Sequence, residues 1–361
     1  MQRAETLGEI LDNLTIPGDL CEVVDQEAGH VRCYACGHRC LVKNGRRGIC
    51  QVRFNREGTL YVPHNYVGGL QSDPIEKKPF FHVMPGTDAM SFGMLGCDYR
   101  CHFCQNWLTS QTLRDNNAGV MPRRITSDEL IRLTRSHRAG SVASTYNEPL
   151  ITTEWAVEVF KAARKHSLRT LYISNGNATP EALDYLVPWL DAYKIDLKTM
   201  SDKNYRKIIG GVLQNVLDTI QMAHDRGLWV EIVTLIIPGM NDSTDELWEA
   251  ARFIYSVSPD IPWHVTAFHP DYKMQDIPRT TVDTLLRAAE IGSEAGLNYV
   301  YAGNLPGQTK NWEDTRCPGC QTTLVKRRGF RVFENTITPT NTCPTCQRAI
   351  PGLWQAPQNA N

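Results

Sequence analysis

The sequence has no apolar run long enough to cross a membrane and no surplus of charge of either sign. Its most apolar stretch, residues 228–237, is interrupted by Glu231 and is far shorter than the roughly 20 residues that a spanning helix needs. The first residues, MQRAETLGEILDNL, lack the apolar core of a secretory signal and predict an amphipathic helix. Lys plus Arg (38) almost equals Asp plus Glu (39), so no basic field favours nucleic acid. We expect a cytoplasmic protein, with neither membrane nor nucleic acid indicated as a partner.

The middle of the sequence, residues 105–316, also lacks cysteine, although the chain has 12. Only Cys21 stands apart; the others form groups at the spacing of metal ligands. In a reducing cytosol such groups are more often metal sites than disulfides. The groups are Cys33, Cys36, Cys40 and Cys50; then Cys97, Cys101 and Cys104; and finally Cys317, Cys320, Cys343 and Cys346. We therefore expect three metal sites, of which the second has one cysteine fewer than the others.

The cysteine-free middle alternates short apolar runs with segments of helical periodicity. The runs are AMSFGML, GSVAST, RTLYIS, AYKIDL, LWVEIVTLII, WHVTAF and NYVYAG. Capping signals mark three helix starts: Thr126 with Glu129, Thr179 with Pro180, and Ser243 with Glu246. Strands alternating with helices at intervals of about 30 residues imply parallel strands joined by crossover helices. The prediction is an α/β fold with an open, partial (β/α)6 barrel of the TIM type; a doubly wound sheet is the alternative.

Polar residues follow each predicted strand, where the chemistry of a parallel α/β fold collects. The segments are TYNEP, SNGNATP, PGMND, FHPDYKM and AGN. Ordinary turns favour Gly, Asn and Pro as well, so a single segment of this kind is not decisive. Several polar residues lie inside or beside the apolar strands, where each needs a partner or a function: Glu148, Asp196, Lys198, Glu231, Thr234, His264 and His269.

Three cysteines close together can hold one iron-sulfur cluster from a single loop. Cys97, Cys101 and Cys104 follow the first predicted strand, and Gly96 lets the backbone approach the sulfurs closely. A four-iron cube normally takes four thiolates, so three would leave one iron free to bind another molecule. The alternatives are a three-cysteine zinc site completed by a distant histidine, or a core turn that happens to hold cysteines.

The triad in GCDYRCHFCQN, with Phe103 before its last cysteine, resembles the motif of the radical S-adenosylmethionine (radical SAM) superfamily. The segments DPIEKKPFFHVMPG, TYNEPLI, YISNGN, DLK, IPGMND and YVYAGN extend the resemblance over roughly residues 30–350. Together they resemble the radical SAM member of the AmmeMemoRadiSam system, a group similar to pyruvate formate-lyase-activating enzymes. The resemblance implies a 4Fe-4S cluster on the triad, with S-adenosylmethionine on its free iron. Reductive cleavage then yields methionine and a 5'-deoxyadenosyl radical that abstracts hydrogen.

The resemblance also implies roles for residues at the strand exits. Glu148, with Asn147, occupies the place of the acidic segment that binds the methionyl amino group. Ser174, Asn175 and Gly176 resemble positions that hold the cofactor's ribose or carboxylate. Asp196 and Lys198 match the Asp-Leu-Lys motif of the activating enzymes and are expected catalytic residues that face cofactor or substrate. His269 is a further catalytic candidate because its position after the sixth predicted strand is where substrate is expected; a buried histidine with its own partner is the alternative. For Asn241 two interpretations stay open, a wall of the adenosine pocket or part of the cap of the helix that begins near Ser243.

The outer cysteine groups predict two small metal-binding domains. The C-terminal CPGC and CPTC pair has zinc-ribbon spacing and predicts zinc. The N-terminal four do not match the run of two-cluster ferredoxins, so zinc and a second cluster both remain open. The predicted domains are residues 1–84, cysteine-rich; 85–306, the barrel; 307–354, the zinc-ribbon-like domain; and 355–361, a disordered tail.

The first functional hypothesis is a radical SAM enzyme, an oxidoreductase resembling the activating enzymes. Its implied partners are S-adenosylmethionine, an electron donor such as flavodoxin or ferredoxin, and a protein substrate, as in glycyl-radical activation. A small molecule or a nucleoside are the other candidate substrates. The second hypothesis is a non-enzymatic module with three zinc sites that bridges proteins or nucleic acid.

Overall fold

The computed structural model describes residues 3–357, so residues 358–361 of the predicted tail lie outside the described residues. Within the described part, no helix combines the length and apolar character needed to span a membrane. The short helix at the start, Leu7–Asp12, begins with a capping box in which Thr6 and Glu9 bond reciprocally.

Across residues 3–357 the strands belong to one large sheet and four small ones. In chain order they are β1 (Thr15–Pro17), β2 (Cys21–Asp25), β3 (His30–Cys33), β4 (Leu41–Val42), β5 (Phe54–Arg56), β6 (Thr59–Pro63), β7 (Tyr66–Val67), β8 (Gly69–Pro74), β9 (Asp88–Gly93), β10 (Arg123–Arg124), β11 (Ser141–Ser144), β12 (Arg169–Ser174), β13 (Ala192–Asp196), β14 (Trp229–Ile236), β15 (Trp263–Ala267), β16 (Val300–Gly303), β17 (Thr315–Arg316), β18 (Thr323–Arg328) and β19 (Arg331–Asn335).

Helices follow most strands of the large sheet. In chain order, the α-helices of the described residues are α1 (Leu7–Asp12), α2 (Trp107–Ser110), α3 (Ser127–Ser136), α4 (Thr153–Arg164), α5 (Pro180–Leu186), α6 (Asp202–Asn204), α7 (Leu213–Asp225), α8 (Thr244–Val257) and α9 (Val282–Glu294). Thr126 and Glu129 form the predicted capping box of α3, and Thr179 caps α5. Ser243 caps α8, but the Glu246 carboxylate instead accepts bonds from Thr199 and the Met200 amide. That carboxylate therefore joins α8 to the loop after β13.

The large sheet has the order β16-β15-β14-β13-β12-β11-β9-β8. The seven predicted strands, β9 and β11 to β16, are all present, parallel and adjacent in chain order. A doubly wound sheet would reverse its strand order at a switch point, and this one does not, so that alternative is wrong.

The eighth strand, β8, pairs antiparallel with β9, from Gly69 opposite Gly93 to Pro74 opposite Asp88. The sequence did not predict β8, because GLQSDP has neither a β-branched run nor regular apolar alternation. Backbone pairing with the edge of β9 is what makes it a strand. β8 lies within the segment predicted as the N-terminal cysteine-rich domain, although it extends the central sheet.

One face of the sheet is filled by chain segments rather than by the crossover helices. Small residues on neighbouring strands, Ala89, Ala143 and Ala192, pack against Phe80 and Val83 of the segment between β8 and β9. Leu353, near the C-terminus, packs into the same cluster, and its backbone bonds to this segment at Met84. The packed segments close this part of the sheet, so a site must form elsewhere.

The two outer cysteine regions are small antiparallel units. In the N-terminal region, β2, β3 and β4 form one sheet and β1, β6 and β5 another. A bidentate ion pair, Arg53 with Glu154 at 2.7 Å for both bonds, fixes this region to α4. The C-terminal region contains β17, β18 and β19, and its buried Leu324 and Ile350 share a cluster with Tyr301 of β16 and with Tyr299 just before that strand.

Candidate active site

The cysteine triad lies on the loop that leaves β9. Gly96 has a φ of +90° there, and a Cβ at this position would lie 2.9 Å from Val52 and 3.1 Å from the Cys50 carbonyl oxygen. Glycine is therefore required for both conformation and space. The Tyr99 amide donates to the Cys97 sulfur at 3.3 Å, and the Ser110 hydroxyl lies 3.2 Å from the Cys104 sulfur.

The triad opens onto a cavity of about 150 Å³ at the carboxyl ends of the parallel strands. Nine residues predicted from the sequence line it: Cys97, Cys101, Cys104, Asn147, Glu148, Ser174, Asn175, Asp196 and Lys198. A cavity of about 300 Å³ lies between α9 and the C-terminal region, but no cysteine lines it. Cavities of about 480 and 720 Å³ are larger still, so size does not identify the site; the chemistry of the lining residues identifies the cavity at the triad as the candidate site.

The donor set fits an iron-sulfur cluster. Burial raises the pKa of the Cys101 thiol to about 12, against an opposing effect of the Lys198 charge. Burial likewise raises the pKa of Cys97 and Cys104. Thiols whose pKa is raised in this way stay protonated near neutral pH unless a cationic centre binds them as thiolates. The sulfurs, the close backbone at Gly96 and the adjoining cavity thus suit a cluster that binds a further ligand.

One wall of the cavity contains the buried carboxyl group of Glu148, which Asn175 connects to a second buried carboxyl group, that of Asp98. Glu148 accepts bonds from the Ser174 hydroxyl at 2.6 Å and the Asn175 amide at 2.7 Å. Asp98, inside the cysteine motif, accepts from the Asn175 and Asn177 side chains at 2.7 and 2.8 Å. Burial, and next the charge of Asp98, raise the pKa of Glu148 to about 8. Such a wall favours a cationic ligand group, which would supply the missing positive charge.

A second polar group in the cavity consists of three residues of β13 and its exit. Asp196 pairs with Lys194 and, at 3.0 Å, with Lys198. Burial would raise the pKa of Asp196, but the two lysine charges outweigh it and hold the pKa at about 2. Burial would lower the pKa of Lys198; Asp196 and then Cys101 raise it above its ordinary value instead. The site therefore carries a fixed cation beside the triad.

Sequence reasoning missed Lys194, Asp98 and Asn177. Lys194 had a signal: it stands two residues before Asp196, so the strand period of two places both on one face with Lys198. An acidic residue inside the cysteine motif was the signal for Asp98. No feature of the sequence indicated Asn177, because its contact with Asp98 joins two loops that are far apart in sequence.

Three predicted site residues do not line the cavity. Gly176, with a φ of +76°, packs its Cα against Ile195, and its amide donates to the Ser174 hydroxyl. Asn241 donates to the carbonyls of Lys198 and Leu235. His269 is exposed on the loop after β15, where its ring bonds to the Pro270 carbonyl.

Polar residues buried in the strands away from the cavity have partners of their own. Glu231 accepts from the His264 ring at 2.6 Å and from the Phe81 and His82 amides. The Trp263 indole donates to the Thr234 hydroxyl at 2.9 Å. These contacts hold strands and the segment after β8 together.

The C-terminal cysteines have the geometry of a tetrahedral metal site. Their four sulfurs all lie within 4.8 Å of one another. The sulfurs of Cys317 and Cys346 are 3.5 Å apart, and those of Cys320 and Cys343 are 3.6 Å apart. Zinc at about 2.3 Å from each sulfur places tetrahedral ligands about 3.8 Å apart, which these distances approach. The group can therefore hold a metal ion.

Comparison with known proteins agrees with this geometry. The model of the radical SAM superfamily matches residues 93–254, from the end of β9 into α8. A Methanocaldococcus jannaschii protein named "Uncharacterized protein MJ0808" is 37% identical over 323 residues, which are 89% of this chain and 95% of the relative. The chain belongs to the radical SAM superfamily and is an enzyme of that class. Membership implies an iron-sulfur cluster and S-adenosylmethionine, and it decides against the non-enzymatic alternative.

Within the superfamily the chain is similar to activating enzymes. The pyruvate formate-lyase 1-activating enzyme of Escherichia coli (strain K12) is 23% identical over 236 residues, covering 60% of this chain and 93% of the relative. Among solved structures, a domain of the pyruvate-formate lyase-activating enzyme from Bacteroides vulgatus ATCC 8482 has a TM-score of 0.42 at 18% identity, covering 46% of this chain and 100% of that one. Streptococcus suis SuiB bound to S-adenosylmethionine has a TM-score of 0.47 at 14% identity, covering 64% and 53%.

Proposed function

We propose that Cys97, Cys101 and Cys104 hold a 4Fe-4S cluster and that S-adenosylmethionine binds beside it in the 150 Å³ cavity. The observation that carries the proposal is that the three cysteines, Glu148 and the Lys194–Asp196–Lys198 group all line this cavity. When bound, the cluster and S-adenosylmethionine supply a 5'-deoxyadenosyl radical, which removes hydrogen from a substrate. The fold's part is to position the reactants and to exclude water.

The residues of the wall bind the methionyl end of the cofactor. Glu148 gives up its proton and pairs with the amino group of the cofactor. The Ser174 hydroxyl and the Asn175 amide keep the Glu148 carboxylate in place. Asn147, which lines the cavity and accepts from the Met94 amide, fixes the strand exit beside the triad. Gly176 allows the backbone after β12 to turn closely behind Ser174.

The charged residues at the end of β13 also act at the cavity. Lys198 stays protonated next to Cys101 and offsets the negative charge of the bound thiolates. Asp196 and Lys198 face cofactor or substrate, and Lys194 holds Asp196 in place. Asn241 positions Lys198 by binding its carbonyl rather than by touching the cavity. A role for His269 requires that the exposed loop after β15 close over a bound substrate.

The remaining predicted features belong to the same proposal. The large sheet curves into an open, partial barrel whose mouth is the cavity, flanked by the two cysteine-rich regions. Zinc occupies the C-terminal group, supported by the close spacing of its sulfurs. The substrate is a glycine-bearing partner protein, supported by the similarity to pyruvate formate-lyase-activating enzymes, and the electron comes from a flavodoxin or ferredoxin.

The test is reductive cleavage of S-adenosylmethionine by anaerobically reconstituted protein. We expect dithionite-reduced enzyme to form 5'-deoxyadenosine, measured by liquid chromatography, and Cys101→Ala to abolish the product. Cys21→Ala is the matched control, because Cys21 belongs to none of the three groups, and it should retain the activity. Product formation by Cys101→Ala at the wild-type rate would exclude the assignment of the triad.

A further inference from the structure

The N-terminal cysteines differ from the C-terminal ones in their surroundings. Cys33, Cys36 and Cys50 are 7%, 6% and 5% exposed, and they belong to the same hydrophobic core cluster as Cys101. In the C-terminal group Cys317 and Cys343 are also buried, but Cys320 and Cys346 are exposed, and the buried pair belongs to a separate, smaller cluster. The N-terminal group is thus part of the main core rather than an appendage.

The N-terminal group also touches the triad through the backbone. At Gly96 the chain passes so close to the Cys50 carbonyl oxygen that a Cβ would lie 3.1 Å from it. The Arg114 guanidinium donates to the carbonyls of both Ile49 and Cys97, and so bonds the two cysteine loops together. Cys50, the last ligand candidate of one group, is therefore a direct neighbour of Cys97, the first of the other.

The C-terminal group differs from the other two cysteine groups in the spacing of its sulfurs. Among the cysteines that the structure describes, only the C-terminal four bring all their sulfurs within 4.8 Å of one another. A single zinc ion needs sulfurs about 3.8 Å apart. A cube binds each thiolate to a different iron, so its sulfurs stand further apart. In this respect the N-terminal group is like the triad and unlike the C-terminal site.

A buried ion pair lies beside the N-terminal cysteines. Arg53 is 1% exposed and interacts electrostatically with Cys33 and Cys50, and its guanidinium is paired with Glu154. Charged groups next to the ligands adjust the reduction potential of an iron-sulfur centre.

We propose that Cys33, Cys36, Cys40 and Cys50 bind a second iron-sulfur cluster that relays electrons to the cluster of the triad. The electron relay rests on the proposed function, because it needs a cluster on the triad. Binding of a cluster by the N-terminal cysteines does not depend on the proposed function. A low-potential one-electron carrier protein reduces the second cluster by one electron. That electron then passes to the cluster of the triad, so the second cluster returns to its oxidised state and no proton or covalent bond is exchanged.

The first experiment tests the second cluster without the first. The variant Cys97→Ala/Cys101→Ala/Cys104→Ala is reconstituted anaerobically and analysed for iron, sulfide and zinc. We expect about four iron atoms per chain and, after dithionite reduction, the electron paramagnetic resonance signal of a reduced cube. Wild-type protein should hold about eight iron atoms. A triple variant with no iron-sulfur signal and zinc at both four-cysteine groups would overturn the proposal.

The second experiment tests proximity and the relay. In reduced wild-type protein the two paramagnetic clusters should interact, giving a spectrum broader than the sum of those of the triple variant and of Cys36→Ala/Cys40→Ala. In stopped-flow absorbance, reduced flavodoxin should bleach the triad cluster of Cys36→Ala/Cys40→Ala several times more slowly than that of wild type. Cys21→Ser, which leaves all three groups intact, should bleach at the wild-type rate.

The outcomes distinguish the two proposals. Iron retained at about four atoms per chain shows that Cys36→Ala/Cys40→Ala has folded. A wild-type spectrum equal to the simple sum, or equal bleaching rates, would overturn the relay. If the triple variant holds a cluster while wild-type protein forms no 5'-deoxyadenosine, the second cluster stands and the proposed function fails.

Discussion

Glu148 shows how one buried carboxyl can control cofactor binding. The side chain is 2% exposed, and with Asp98 close by it remains largely protonated at neutral pH. A positively charged amino group stabilises the ionised form, so binding must displace the proton. Below the raised pKa, the free energy needed to remove the proton from Glu148 weakens binding of the cofactor. This weakening becomes smaller as the pH approaches the pKa.

We predict that the affinity for S-adenosylmethionine rises with pH, by up to about tenfold between pH 6.5 and 7.5. This pH range lies below the pKa of Glu148 in the folded protein, which is about 8. Titration calorimetry in two buffers of different ionisation enthalpy should reveal proton release by wild type. Glu148→Gln should bind more weakly and release none. Equal proton release by both proteins would contradict the role of Glu148.

At the scale of elements, the N-terminal region is attached to α4 by one buried ion pair. Arg53 and Glu154 have side chains 2% and 5% exposed, and Glu154 also accepts from the Leu20 amide. Removing one partner leaves the other charge buried and uncompensated. An exposed pair, Arg39 with Glu181, joins the same region to α5 and provides a comparison.

We predict that Arg53→Met lowers the free energy of unfolding by about 3–5 kcal/mol. Arg39→Met should lower it by about 1 kcal/mol or less, since solvent screens that pair. Arg53→Met/Glu154→Met should regain most of the loss, because no charge stays buried. Urea unfolding followed by circular dichroism measures all three. A double variant as unstable as Arg53→Met would show that the pair is not what stabilises this attachment.

At the scale of the whole molecule, His82 joins three parts of the chain. Its ring bonds to the Pro351 carbonyl and the Tyr301 hydroxyl, each at 2.7 Å, and its amide donates to Glu231. Burial lowers the pKa of His82 to about 4, against the opposing charge of Glu231. The folded protein therefore holds His82 neutral where the unfolded chain would protonate it.

We predict that His82 makes stability pH-dependent between pH 6.5 and 4. A lowered folded pKa means that the unfolded state binds more protons in this window, so stability falls as pH falls. At pH 7, His82→Phe should be less stable than wild type by about 1–3 kcal/mol, through lost hydrogen bonds. The difference should shrink by roughly 2 kcal/mol at pH 5, measured by urea unfolding. A difference independent of pH would contradict the prediction.

Zinc should stabilise the C-terminal region as a unit. We predict that Cys343→Ser/Cys346→Ser loses about one zinc per chain, since two thiolates cannot close a tetrahedral site. Limited proteolysis should then cut within residues 307–354. Iron on the triad should be unchanged, which serves as the internal control. Resistance to proteolysis equal to that of wild type would show that metal does not hold this region together.

The sequence alone determined the features that depend on near neighbours along the chain. Apolar runs specified the seven parallel strands, and capping signals located α3, α5 and α8. The triad was visible because three ligands fall within one loop. The strand period of two also indicates Lys194, because it places this residue on the same face as Asp196.

Only the tertiary structure decided which distant segments meet. β8 became a strand by pairing with β9, and Asn177 reached Asp98 across two loops. Cys50 and Gly96 lie 46 positions apart in the sequence, yet a Cβ on Gly96 would lie 3.1 Å from the Cys50 carbonyl oxygen. Periodicity and spacing are local properties, whereas these contacts depend on strand register and on how the loops pack. The sequence therefore located the triad, and the packing placed a second group of thiols against it.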